Sequence, residues 1–180
     1  MIRKATKRLA LCGVLAGLCT ALMCLGGILP GATYCAPLLA SLVLIPAREE
    51  CGAKPAWLLF AASALLSLIL SADKEAAVLF LALGYYPLVK AALDAVRPRL
   101  LSRLCKLAFF NAAVMAAYAL LLFVLLSDAL RAELGAMGTA LLLALLLGGN
   151  VVFLLYDKLL SRLVPLYLRR LQPVLHKALQ

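Results

Sequence analysis

Apolar residues in this chain come in long blocks, and short polar or charged stretches separate them. The first block, residues 9–29, has 21 residues. At 1.5 Å of helical rise per residue it covers about 30 Å, the thickness of a bilayer's hydrocarbon layer. Gly26-Gly27 and Pro30-Gly31 then break the helix, and 32–46 forms a second, short apolar block. A polar stretch, 47–54, leads to Pro55, which suits the first turn of a third helix running past Trp57 to residue 72. Trp57 sits where an interfacial aromatic anchor belongs. Asp73-Lys74-Glu75 is a turn so tight that spans three and four are predicted to be antiparallel neighbours. Span four reaches Gly84-Tyr85-Tyr86-Pro87, where Pro87 is expected to kink or end it. Spans five and six are predicted over 107–126 and 136–156, with a polar loop at 127–135 between them. Beyond Asp157, apolar residues recur at helical spacing among Lys158, Arg162, Arg169, Arg170 and Lys177. That pattern predicts a basic amphipathic helix lying on the membrane surface, bent at Pro165 and Pro173.

Composition makes lipid the required solvent. Hydrophobic residues are 66% of the chain, charged residues 14%, and mean hydropathy is +1.06, whereas a globular domain is about half apolar and a quarter charged. A soluble enzyme, a DNA-binding module and a disordered chain are thereby excluded. The expected fold is all-α: a polytopic membrane protein with a compact bundle of six transmembrane helices over 1–156 and a basic amphipathic cytoplasmic tail helix over 157–180.

The formal net charge of +10 would point to nucleic acid in a soluble protein, but its distribution points to topology instead. With a cytoplasmic N-terminus, sixteen of the eighteen Lys and Arg fall on the cytoplasmic side, and only Lys74 and Arg131 lie outside. The eight acidic residues divide evenly, so the asymmetry is in Lys and Arg alone, as the positive-inside rule requires. Both termini are therefore expected in the cytoplasm and the protein in the cell membrane, with no nucleic-acid partner.

The chemistry is sparse. Six cysteines form no C-x-x-C pair, and the single histidine, His176, lies in the tail, so no metal site or cofactor is expected and the cysteines read as small packing residues. No carboxylate pair, Ser/His/Asp set, H-E-x-x-H motif or glycine-rich phosphate loop occurs, so the protein is not expected to be an enzyme. No acid or base sits mid-span to relay protons. Energy for any transport must then come from elsewhere.

Three groups of residues stand out as candidate sites. Gly13, Gly17 and Ala21 place small side chains every four positions on span one, a surface on which helices approach closely. Asn111 and Asn150 are intramembrane polar residues predicted to lie level with Tyr85 and Tyr86, either as interhelical hydrogen bonds or as the lining of a ligand pathway. At the outer face, Thr33, Tyr34, Asp73, Lys74, Glu75 and Asp128, with Tyr118 reaching up from span five, read as solvated turns or as a substrate pocket. In the second case the Gly/Pro-rich connection 26–37 would cap it.

The basic start, the Gly13/Gly17/Ala21 repeat, the Gly/Pro-rich outer loop, the short second span and the basic tail together resemble the substrate-binding S component of energy-coupling factor transporters and its relatives among small bacterial six-span proteins. The resemblance covers residues 8–156. It implies that Gly13, Gly17 and Ala21 dock on a transmembrane coupling protein driven by two cytoplasmic ATPases, with glycine where the family has alanine. It also implies a vitamin-like molecule or metal ion held near the outer face. The expected function is a substrate-binding subunit for uptake of a small nutrient. The alternative is a non-transporting scaffold whose tail and 90–106 stretch hold it to anionic lipid or an acidic partner.

Overall fold

In the computed structural model of the chain, residues 2–28, 31–123 and 138–171 are described. The described residues are helical, with no strand among them. Helix α1 spans Ile2–Gly26, α2 Cys35–Leu42, α3 Leu44–Pro46, α4 Ala53–Leu70, α5 Lys74–Leu83, α6 Tyr86–Asp94, α7 Arg99–Phe123 and α8 Thr139–Leu166. Wider π turns follow α3 at Ala47–Cys51 and α8 at Tyr167–Leu171.

Among the described residues, five stretches are long and apolar enough to cross a membrane: Arg8–Gly26, Ala53–Leu70, Lys74–Asp94, Arg99–Leu122 and Leu143–Arg170. The second predicted span falls short of that length. It is built from α2, α3 and the π turn, and it is mostly interior, with Ala40, Ser41, Leu44 and Ala47 almost fully buried. The other helices turn large apolar side chains outward. On α8, Leu143, Leu147, Val151 and Leu155 form a continuous exposed stripe at four-residue spacing, a surface suited to hydrocarbon and not to water.

Local chemistry fixes the turns. Gly52 has φ +95°, a backbone shape that favours glycine, and it separates the π turn from α4. Asp73 caps α5 by accepting from the Ala76 N–H at 3.0 Å. Lys74 caps the other side of that turn, donating to the carbonyl oxygens of Leu68 at 2.8 Å and Ile69 at 3.4 Å, which α4 leaves free. A side chain on Gly26 would collide with Ala36, its Cβ only 2.1 Å from that of Ala36, so glycine lets the end of α1 touch α2.

Two expected boundaries fall elsewhere. The break in span four comes at Gly84-Tyr85, and Pro87 sits in the first turn of α6, where its missing N–H costs nothing. The sixth span does not end at Tyr156. Helix α8 passes Asp157 and Pro165 unbroken, and Leu160 and Tyr167 are buried against the bundle. Leu163 and Val164 pack against the same core, while Leu159, Leu166 and Leu168 stay exposed, so the apolar face of 157–171 covers protein in part. Pro173 and Lys177 lie outside the described residues.

Two main cores result. Leu15, Cys19 and Met23 of α1 pack on α2, α4 and α5; a second core joins Ile45, Tyr86, Phe110, Phe153, Tyr156 and Leu160.

Candidate functional site

Lys90 and Asp94 lie one turn apart on α6, so their side chains share a face. Lys106 of α7 and Asp157 of α8 complete a ring of four alternating charges. Lys90 Nζ lies 3.1 Å from Asp94 Oδ2 and also bonds Asp157 Oδ1. Lys106 Nζ lies 2.9 Å from Asp157 Oδ2 and 3.1 Å from Oδ1, and it bonds Asp94 Oδ1 as well. The Tyr86 hydroxyl donates to Asp157 Oδ1 at 2.6 Å. The two lysines are only 7% and 5% exposed, and a charge so deeply covered persists only with paired, hydrogen-bonded partners. Net charge within the ring is zero.

Sequence reasoning missed this ring. It placed Lys90 and Lys106 in a basic cytoplasmic stretch and Asp157 at a span boundary. A signal was present: Ser102, Lys106, Phe110, Ala113, Ala117 and Leu121 fall on one helical face, and all six are buried. Lys106 is in phase with the core. Arg97, Arg99 and Arg103 of the same stretch are exposed.

The four intramembrane residues expected in one layer separate into three places. Asn111 and Asn150 pair reciprocally, amide to carbonyl, at 3.0 and 3.1 Å, and each also donates to the carbonyl four residues back, Leu107 and Leu146. Their hydrogen-bonding capacity is used between α7 and α8. Tyr86 belongs to the ionic ring, and Tyr85 packs among Trp57, Phe60 and Phe109 with ring centroids 5.5–5.7 Å apart. Trp57 is half-exposed there, beside an aromatic partner.

Among the residues expected at the outer face, three converge. The Tyr34 hydroxyl donates to Glu75 Oε1 at 3.1 Å, the Tyr118 hydroxyl to the same oxygen at 2.9 Å, and the two hydroxyls are 3.5 Å apart. Glu75 lies in the first turn of α5, where the helix dipole favours a carboxylate. Asp73 and Lys74 instead serve as helix caps, and Thr33 lies in the turn before α2, partly exposed. Asp128 lies outside the described residues.

Between these two polar groups lies a cavity of about 90 Å³. Tyr34, Leu38 and Ser41 wall it on the α2 side, Leu79 and Leu83 on α5, and Phe110, Gly149, Phe153 and Tyr156 on α7 and α8. Helix α8 packs on α7, and the bond between the Ser41 and Tyr156 hydroxyls ties it to α2. Gly149 allows Phe110 to lie against α8, since a Cβ there would meet the Phe110 ring at 3.3 Å, and Phe110 in turn stacks on Phe153 at 4.7 Å. Left unfilled, an apolar void of this size forgoes about 2 kcal/mol of packing. Tyr34 and Tyr86 tie the cavity to the polar group at either end.

Gly13, Gly17 and Ala21 all lie on the exposed face of α1. A Cβ at either glycine would meet nothing within 4 Å, so among the described residues no helix packs on that stripe. Cys51 lies near Cys12 on the neighbouring face; burial first, then the Cys12 thiol, push its own thiol up to about 12.

No family model matches this chain, and no curated protein or solved structure matches it.

Proposed function

We propose that this chain threads the cell membrane six times with both termini in the cytoplasm, and that it is a substrate-capture subunit for uptake of a small nutrient. The observation that carries the reading is the cavity between α2, α5, α7 and α8, closed toward one end by Tyr34 and toward the other by Tyr86 and Tyr156. The second segment, short and interior, takes the place of the sixth span. Its position against the cavity suits a gating or binding element better than a lipid-facing one. The bias of Lys and Arg supports the orientation.

A capture subunit without its own energy source needs a partner, here a transmembrane coupling protein with two ATPases. The open stripe Gly13, Gly17 and Ala21 supports α1 as the docking face, since small residues allow a second helix to approach closely. Tagged protein purified from its own host is expected to bring down an ATPase-bearing membrane module. Gly13→Leu and Gly17→Leu should abolish that association, whereas Val14→Leu on the same exposed side should not. Association unaffected by both glycine variants would remove α1 from the interface; a chain that runs alone and binds no metabolite would remove the function.

A second reading, a non-transporting scaffold, has its own support. Arg97 before α7, Arg99 and Arg103 in its first turns, Arg162 of α8 and Arg169 and Arg170 of the π turn after it are all exposed, and basic side chains of this kind suit anionic headgroups. Arg162, Arg169 and Arg170 changed together to Gln should abolish function under this reading and leave uptake intact under the first.

A further inference from the structure

The wall of the cavity carries no charged side chain, and each of its hydroxyls is turned to a partner of its own. Tyr34 donates to Glu75 and Tyr86 to Asp157. Ser41 donates to the Leu38 carbonyl at 2.6 Å and is bonded to the Tyr156 hydroxyl. What faces the void is therefore aliphatic and aromatic carbon. An apolar cavity of this kind stays dry, because water there would give up its hydrogen bonds for none in return.

Size narrows the occupant further. An engineered apolar cavity of about 150 Å³ holds one benzene ring, so about 90 Å³ accommodates a short branched stretch of chain or the greater part of one small ring. A whole ring or a larger ligand would leave its remainder outside, on the side of Val152, which lines the cavity and is half-exposed.

We infer that this cavity is a binding site for an uncharged, ring-sized hydrocarbon group, supplied either by a free apolar solute or by the tail of a bilayer lipid. This rests on the capture reading and names its ligand class. It departs from the vitamin-like or metal-ion cargo that the sequence resemblance implies: a cation or carboxylate would enter a wall with no counter-charge and no free donor. Filling the void would recover packing equivalent to about thirtyfold in affinity.

The test uses the full chain in phosphatidylcholine nanodiscs and the photoreactive probe 3-trifluoromethyl-3-phenyldiazirine, an uncharged single ring. Adducts are expected on the peptides that hold Leu38–Ser41 and Gly149–Tyr156, saturable by toluene and insensitive to benzoate or benzylamine. Leu38→Trp, which fills the void from α2, should lower that labelling about tenfold, and Leu83→Phe, which fills it from α5, should do the same. Circular dichroism and melting temperature identify which variants are folded, and either one suffices. A second arm carries the diazirine on a phosphatidylcholine acyl chain. Labelling of the same peptides by that lipid, undiminished by toluene, assigns the site to a lipid tail; labelling by the free probe alone assigns it to a solute. Saturable labelling displaced by benzoate or benzylamine but not by toluene would overturn the ligand class and leave the capture reading standing. Adducts spread without saturation over the exposed leucines of α4 and α8 would overturn both.

Discussion

The two polar groups that flank the cavity are built on opposite principles. At the Asp157 end, two lysines and two aspartates close a ring across α6, α7 and α8, with the lysines almost wholly covered. At the Tyr34 end, one carboxylate is shared by two neutral phenols, and Tyr34 is 59% exposed. In the first group the two lysines have no substitute partner, because helix packing covers them, while Asp94 at the rim of the ring is 45% exposed. The second holds a charge that water can solvate whenever Tyr34 swings away. The contrast makes the Asp157 end an anchor and the Tyr34 end the side on which the cavity can open.

If the ring is the anchor, breaking it should cost most. Lys106→Met leaves two carboxylates to one lysine and is expected to destabilise the protein by about 3–5 kcal/mol, read from thermal or detergent-induced unfolding in mixed micelles. Adding Asp94→Asn restores charge balance around Lys90 and Asp157, and it should recover more than half of the loss. No recovery would mean that the ring acts through packing and not through charge. At the other end, Tyr34→Phe removes one hydrogen bond that water can replace, so the loss should be about 1 kcal/mol or less, with faster labelling of the cavity by the phenyl diazirine. A loss as large as that of Lys106→Met would erase the distinction between the two ends. Smallest is the Asn111–Asn150 pair, whose coupling in a double-mutant cycle of Asn111→Ala and Asn150→Ala should be about 0.6 kcal/mol.

Much of the molecule could be read from residue order. Block lengths placed the long apolar helices, and Asp73-Lys74-Glu75 marked the turn that Asp73 and Lys74 do cap. Tyr34, Glu75 and Tyr118 were grouped by depth alone, and they meet. Tyr85 and Tyr86 were grouped with Asn111 and Asn150 by the same argument, and they do not. Depth gives height along a helix but not the direction in which a side chain points. Lys90 and Lys106 show the same limit: counting them by loop lost their helical phase, which turns both inward.

Residue order by itself determined the element type and the helices apolar enough to suit a bilayer, because apolar content and helix length act locally and need no partner. It also placed small residues along one face of α1. Only the tertiary structure decided which polar group meets which, since Asp157 had several lysines and arginines within reach along the sequence and helix packing selected two. The cavity belongs wholly to that second level. Side chains of α2, α5, α7 and α8 enclose it together, and no single segment carries the information for a space between four.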